Sequence, residues 1–310
     1  MKGFIVCPDG IKQSDPFSGP LTVGNSLPPG NFRLLILADQ ELAQIPRLIS
    51  LEKNIQMDLL TLSQVNYPQA KRLGPSGYLV AYRDFGPNGE ELAIRFLLTA
   101  ADFIMLGRNG VTIEKIMVWA QSGILGNPFN LAQVLGSRIL RHHLNRLEQF
   151  EDQIDSLEAE IMKEPRSAQQ ARISILHKQV IGLKRSLNLN LYVFNRLANI
   201  VEPDNSAIWQ ELVQDTEREL ENARQTHEQV ENLREAYQAA VDNRSNDIMK
   251  WLTLLATILL PINLLTSFFG MNFQFMPLIH LDYGITIFYV ACIIIITAAI
   301  VLFWRKKWLR

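Results

Sequence analysis

The sequence predicts an α+β membrane protein: an N-terminal α/β domain, a long helical stalk and two C-terminal transmembrane helices. Three observations predict it. Trp251–Leu281 and Tyr283–Trp304 contain no Lys, Arg, Asp or Glu, and apolar runs of about 20 residues are what a helix needs to cross a hydrocarbon core. The segment just before them, Glu202–Lys250, is dense in both charge signs. The first third of the chain instead alternates short apolar runs with Gly, Pro and Asn turn signals.

The chain has 310 residues and a net charge of −1. That length holds a soluble domain of roughly 200 residues beside a membrane part, and nothing in the charge points to nucleic acid. Cys7 and Cys292 are the only cysteines, which excludes a disulfide framework or a Cys-based zinc motif. The apolar run from Met1 to Pro8 is too short for a signal peptide, so the bulk of the chain is expected in the cytoplasm.

In the α/β domain (1–127), strands are expected at Phe32–Leu37, Tyr78–Tyr82, Leu92–Leu98, Asp102–Leu106 and Val111–Met117, and short helices at Asp39–Lys53 and Asp58–Val65. Gly86-Pro87-Asn88-Gly89 and Gly107-Arg108-Asn109-Gly110 are the clearest turns, the second reading as a hairpin. No glycine-rich phosphate cradle, nucleophile–base set or complete metal site stands out, so no enzyme is expected. His142-His143, His177 and His227 show no paired i, i+4 ligand spacing and read as surface or interhelix residues.

From Pro128 the texture becomes helical. Leu140, Leu144, Leu147, Ile154, Leu157 and Ile161 recur at spacings of three, four and seven, the mark of one packed helical stripe. Glu164-Pro165-Arg166 interrupts it and Ser167 is the expected N-cap of the return helix, making 128–201 a helical hairpin. After the break at Pro203 there is no Pro or Gly until Pro261. Residues 204–269 therefore read as one helix, on the order of 100 Å long, whose last part (about 251–269) is the first span. A loop (270–283), a second span (284–304) and a basic tail (305–310) follow.

The loop carries no Lys or Arg, whereas Arg244 and Lys250 precede the first span and Arg305, Lys306, Lys307 and Arg310 follow the second. The positive-inside rule puts both termini in the cytoplasm, and Trp251, Trp304 and Trp308 fall near the expected water boundaries. Along the first span Asn246, Met249, Thr253, Ala256, Leu260, Asn263 and Ser267 recur at alternating spacings of three and four and form one seam. Most of them are polar or small, and Asn263 is costly to expose to lipid. The seam fits the lining of an aqueous path, which two helices per chain cannot enclose without several copies around an axis. Helix–helix packing by small residues is the other reading, and composition alone leaves open a two-helix anchor with no transport role.

After this seam comes Gly270-Met271-Asn272-Phe273-Gln274-Phe275-Met276-Pro277. A Gly-Met-Asn triplet directly after the first of two C-terminal spans, followed by aromatics and Met-Pro, resembles the signature of the CorA-type divalent-cation transporter family. Leu254-Leu255-Ala256-Thr257-Ile258, Leu260-Pro261 and the basic tail fit as well. The resemblance is specific from about Asn243 to Arg310 and rests only on texture over 1–120. It implies a funnel-shaped homopentamer in the cell's inner membrane that passes Mg²⁺ passively, with Gly270, Met271 and Asn272 as selectivity filter, Met249 and Leu252 as a hydrophobic gate and Asn246 as a polar ring at the cytoplasmic end. It also implies regulatory Mg²⁺ held by acids between soluble domains. Glu235 stands at a matching distance before the triplet, with Asp242 and Asp247 nearby.

The sequence departs from the family pattern after Met-Pro, where the usual loop acid is replaced by Leu278 and the run continues Ile279-His280. Asp282 is the one carboxylate left in the loop, which weakens attraction of cations to the entrance. His280 is a donor for a softer metal. A Zn²⁺ transporter, or one of mixed range including Co²⁺ and Ni²⁺, therefore stays open beside Mg²⁺.

Overall fold

The computed structural model describes residues 2–7, 10–14, 30–37, 68–73, 77–85, 90–106, 118–119, 127–200, 203–271 and 283–305. The expected helices at 39–53 and 58–65, the turn at 107–110 and the strand at 111–117 lie outside them. The chain divides into two compact units, 1–157 with 168–233 and 158–167 with 234–310. The division falls inside helices rather than at 127 and 201, because the sheet-proximal parts of those helices belong to the sheet's own core.

The first unit is built on a sheet of seven described strands: β1 (Lys2–Cys7), β2 (Gly10–Ser14), β3 (Phe32–Leu37), β4 (Gln69–Leu73), β5 (Gly77–Phe85), β6 (Glu91–Thr99) and β7 (Asp102–Leu106), in the order β2-β1-β3-β7-β6-β5-β4. Only β3 and β7 pair in parallel. These two central strands are buried along their whole length, which is why they read as continuous apolar runs rather than alternating ones. The strands expected at 32–37 and 102–106 are there, and those at 78–82 and 92–98 are the middles of β5 and β6. Phe85 pairs with Glu91 at one end of the antiparallel β5–β6 pair; the turn signal at 86–89 between them lies outside the described residues.

Strands β1, β2 and β4 were not expected from sequence. Two of them, β2 (GIKQS) and β4 (QAKRL), are the sheet's edges among the described strands. Edge strands are kept short and lysine-bearing to discourage pairing with other chains, and this removes the apolar signature by which a strand is recognised.

Four helices follow: α1 (Pro128–Lys163), α2 (Ser167–Ile200), α3 (Pro203–Phe269) and α4 (Gly284–Arg305). Within the first unit α1 and α2 pack on the face of β5. The Tyr82 hydroxyl donates to the Ala132 carbonyl (3.2 Å), and the Tyr82 ring meets Phe96 and Phe194 edge-on at 5.0 and 5.2 Å. The Asn190 amide closes both backbone groups of Arg83, accepting from its N–H and donating to its carbonyl, each at 2.8 Å. Gly136 lies where helices cross: a Cβ there would stand 2.8 Å from Leu212 Cδ2 and 3.0 Å from Phe194. Of the predicted α1 stripe, Leu140, Leu147, Ile154, Leu157 and Ile161 are buried and Leu144 is half-buried.

His143 on α1 is fully buried, with Phe85 edge-on at 5.6 Å, Ser186 Oγ at 3.5 Å and Asp84 at 3.8 Å. Burial pushes its imidazole down to about 4, against the opposing pull of Asp84. The folded chain thus holds His143 neutral where the unfolded chain binds a proton, so stability is full above the unfolded value near 6.5 and falls as pH drops towards 4. Lowering the pH from about 7.5 to about 5 is expected to cost this unit about 2 kcal/mol, read from urea midpoints. A His143→Phe variant that keeps the same pH slope would contradict this.

Candidate functional site

The second unit contains the lower part of α3, the 164–166 turn and α4. With neither Pro nor Gly between 204 and 260, α3 runs unbroken for 67 residues and carries on through Pro261. Pro261 cannot donate to the Thr257 carbonyl. Near its soluble end Arg244 donates to Glu164 (3.2 Å) and to the Pro165 carbonyl (3.3 Å), and Arg166 holds the same carboxylate at 2.7 Å. Hydrogen bonds and charge from Arg166, then from Arg244, hold the Glu164 carboxyl below its ordinary range.

Two helices, α3 and α4, are long and apolar enough to cross a membrane. Leu252, Leu264, Ile285 and Ile293 are each more than 60% exposed, and apolar surface this continuous is not left facing water by a soluble protein. Each helix also has an inner face. On α3 it consists of Leu254, Ile258, Pro261, Ile262, Leu265 and Phe269, all half-buried. On α4 it comprises the buried Gly284, Ala299 and Phe303, with Phe288, Ala291, Cys292, Ile295 and Ile296 half-buried. Phe269 and Phe288 meet edge-on at 5.3 Å. Small residues at such contacts let helix backbones approach in lipid.

The seam read from the sequence lies elsewhere. Ala256, Leu260, Asn263 and Ser267 each follow an inner-face residue (Leu254, Ile258, Pro261, Leu265) by two positions. Two positions turn a helix by about 200°. All seven seam residues, Asn246, Met249, Thr253, Ala256, Leu260, Asn263 and Ser267, are exposed, as is Leu252. Packing against α4 therefore does not account for them. The Thr253 hydroxyl is satisfied within its own helix by the Met249 carbonyl (2.7 Å). The side chains of Asn246, Asn263 and Ser267 make no hydrogen bond among the described residues, which leaves two amides and a hydroxyl without a partner there.

At the end of α3 the Gly270 N–H donates to the Thr266 carbonyl at 2.9 Å, and a Cβ at Gly270 would stand 3.1 Å from that oxygen. A larger residue there would press on that carbonyl. Gly270 itself is not at positive φ; the one positive-φ glycine among the described residues is Gly30. Met271 is exposed; Asn272, His280 and Asp282 lie outside the described residues. Glu235, Asp242 and Asp247 are exposed on α3 and do not gather within one chain; Asp247 pairs with Lys250 at 2.8 Å.

The histidines divide. His143 is core, whereas His177 and His227 do lie between α2 and α3, with ring centroids 5.2 Å apart. Sequence reading missed a third donor, Glu231, which sits with both. The available signal is the i, i+4 spacing of His227 and Glu231, a histidine with a carboxylate rather than two histidines.

Comparison with known proteins bears on this arrangement. The family described as "CorA-like Mg2+ transporter protein" matches residues 36–307. A cobalt/magnesium transport protein, CorA of Thermotoga maritima, is 25% identical over 167 residues, 53% of this chain and 48% of that protein, so the match spans about half the relative's length. A zinc transport protein, ZntB of Yersinia pseudotuberculosis, is 26% identical over 257 residues, covering 78% of this chain and 77% of that one. The CorA magnesium transporter structure from Methanocaldococcus jannaschii superposes with a TM-score of 0.80 over 99% of both chains at 17% identity, a likeness of fold.

Proposed function

Because the chain belongs to the CorA-like Mg²⁺ transporter family, whose members carry divalent cations, we propose that it forms a homopentameric, channel-like pore for Mg²⁺ in the inner membrane, with α3 of each subunit lining the axis and both termini in the cytoplasm. The observation that carries this reading is the polar seam, turned about 200° from the face that packs against α4. A ring of copies gives Asn246, Asn263 and Ser267 an aqueous axis to face, where lipid would leave them unsatisfied.

In this reading Gly270, Met271 and Asn272 form the mouth. Mg²⁺ gives up its waters reluctantly, so a neutral amide acceptor aimed at those waters binds the hydrated ion and still releases it. Met249 and Leu252 form a hydrophobic constriction nearer the cytoplasm, and Asn246 a polar ring beneath it. Glu235, Asp242 and Asp247 are exposed on the stalk, where acids of neighbouring subunits could share a regulatory Mg²⁺. An inside-negative potential supplies about 4.6 kcal/mol per 100 mV for a doubly charged ion, so passive flow suffices.

The second reading is Zn²⁺ or a mixed divalent range. It is favoured by the missing loop acid at Leu278, by His280 and by the similarity to a zinc transport protein. Flux into liposomes loaded with ion-sensitive dye decides between them. Mg²⁺ uptake exceeding that of Zn²⁺, Co²⁺ and Ni²⁺ is expected. Zn²⁺ uptake without Mg²⁺ uptake selects the second reading, and a monomer or dimer in detergent with no flux selects the anchor.

A further inference from the structure

We propose that His177 of α2, with His227 and Glu231 of α3, forms a binding site for a divalent transition-metal ion, Zn²⁺ above all, in the sheet-bearing unit. One donor atom from each of the three residues lies within 4.8 Å of the other two, and His177 Nε2 is 2.7 Å from Glu231 Oε1. Tetrahedral Zn²⁺ with bonds of about 2.0–2.1 Å to imidazole and carboxylate sets neighbouring donors roughly 3.3 Å apart. The one separation of 2.7 Å is shorter than that and the others stay within 4.8 Å, so small rotations of these half-exposed side chains would bring the three donors to a shared ion.

Local structure prepares the set. His227 and Glu231 stand one helical turn apart on the same face of α3, and that face meets His177 on α2. Two imidazoles and one carboxylate are intermediate donors suited to Zn²⁺, Co²⁺ or Ni²⁺, while Mg²⁺ favours an all-oxygen shell. Three protein ligands leave a position for water, and the half-exposed His177 and Glu231, 32% and 40% accessible, admit it.

The site is separate from the proposed pore and does not depend on which ion the pore passes. It ties α2 to α3, the helix that continues to Asn246 and the seam.

The test uses the full chain, without a polyhistidine tag, in detergent. After loading with one equivalent of Zn²⁺ per subunit and dialysis against millimolar Mg²⁺, X-ray absorption at the zinc edge is expected to show imidazole scattering from two histidines. His177→Gln and His227→Gln should each weaken Zn²⁺ binding about tenfold or more with the oligomer unchanged, and His142→Gln should not. If a histidine variant is not recovered folded, Glu231→Gln at a half-exposed position reads the same loss. Zinc displaced by millimolar Mg²⁺, an absorption edge without imidazole scattering, or variants with unaltered affinity would each overturn the proposal.

Discussion

Replacing Asn272 with alanine is expected to stop selective Mg²⁺ uptake while the oligomer elutes unchanged. The proposed filter holds a hydrated ion through amide oxygens, and alanine leaves nothing at that radius to accept from the ion's waters. A hydrogen bond to a charged partner contributes about 1.5–3 kcal/mol, so losing one per subunit predicts a fall in flux of about tenfold at the least. Within one chain α3 and α4 hold together through residues such as Phe269 and Phe288, so the helix pair is expected to persist in the variant. Reconstituted protein and a Mg²⁺-sensitive dye measure it. Wild-type flux through the variant would mean that selection takes place deeper, at Asn263 or Asn246.

The second large effect concerns stability. Arg33 and Asp102 are register partners on the two central parallel strands, and Arg33 Nε donates to Asp102 Oδ1 at 2.5 Å. Asp102 is 2% exposed, and its other oxygen accepts from the Thr99 hydroxyl at 3.0 Å. Thr99 Oγ1 in turn accepts the Asp102 backbone N–H at 2.9 Å, while the Arg33 backbone N–H donates to Ala101. One carboxylate thus anchors the start of β7 against β3. Asp102→Ala removes a partner from a buried charge pair, a change that costs about 3–5 kcal/mol. Asp102→Asn keeps the shape and the bond from Thr99 and should cost less. Replacing both members by apolar residues, Arg33→Met with Asp102→Leu, should recover much of the loss, because the destabilisation comes from the charge left behind. Urea unfolding of the three variants checks this; a double variant no more stable than Asp102→Ala would rule it out.

The two effects are not equally visible in the sequence. Asn272 was legible because its signal is local: a triplet, a preceding charge-free helix and a following Met-Pro. Asp102 was assigned to a strand, but nothing in the sequence paired it with Arg33, sixty-nine positions earlier. The same division runs through the sheet. Central strands announced themselves by apolar runs, while β2 and β4, selected for polar edges, did not. At Gly270 the helix ends as the sequence suggests, and the structure adds a tight approach to the Thr266 carbonyl.

The sequence by itself determined the four long helices, the two spans, the polar seam and the family, since caps, breaks and 3.6-residue periodicity are properties of neighbouring residues. Only the tertiary structure decided which side of α3 is spent on α4 and which side is left, and that His177 meets His227 and Glu231. Periodicity defines a face, but what covers the face depends on where distant segments pack, and that is decided by the burial of the whole chain.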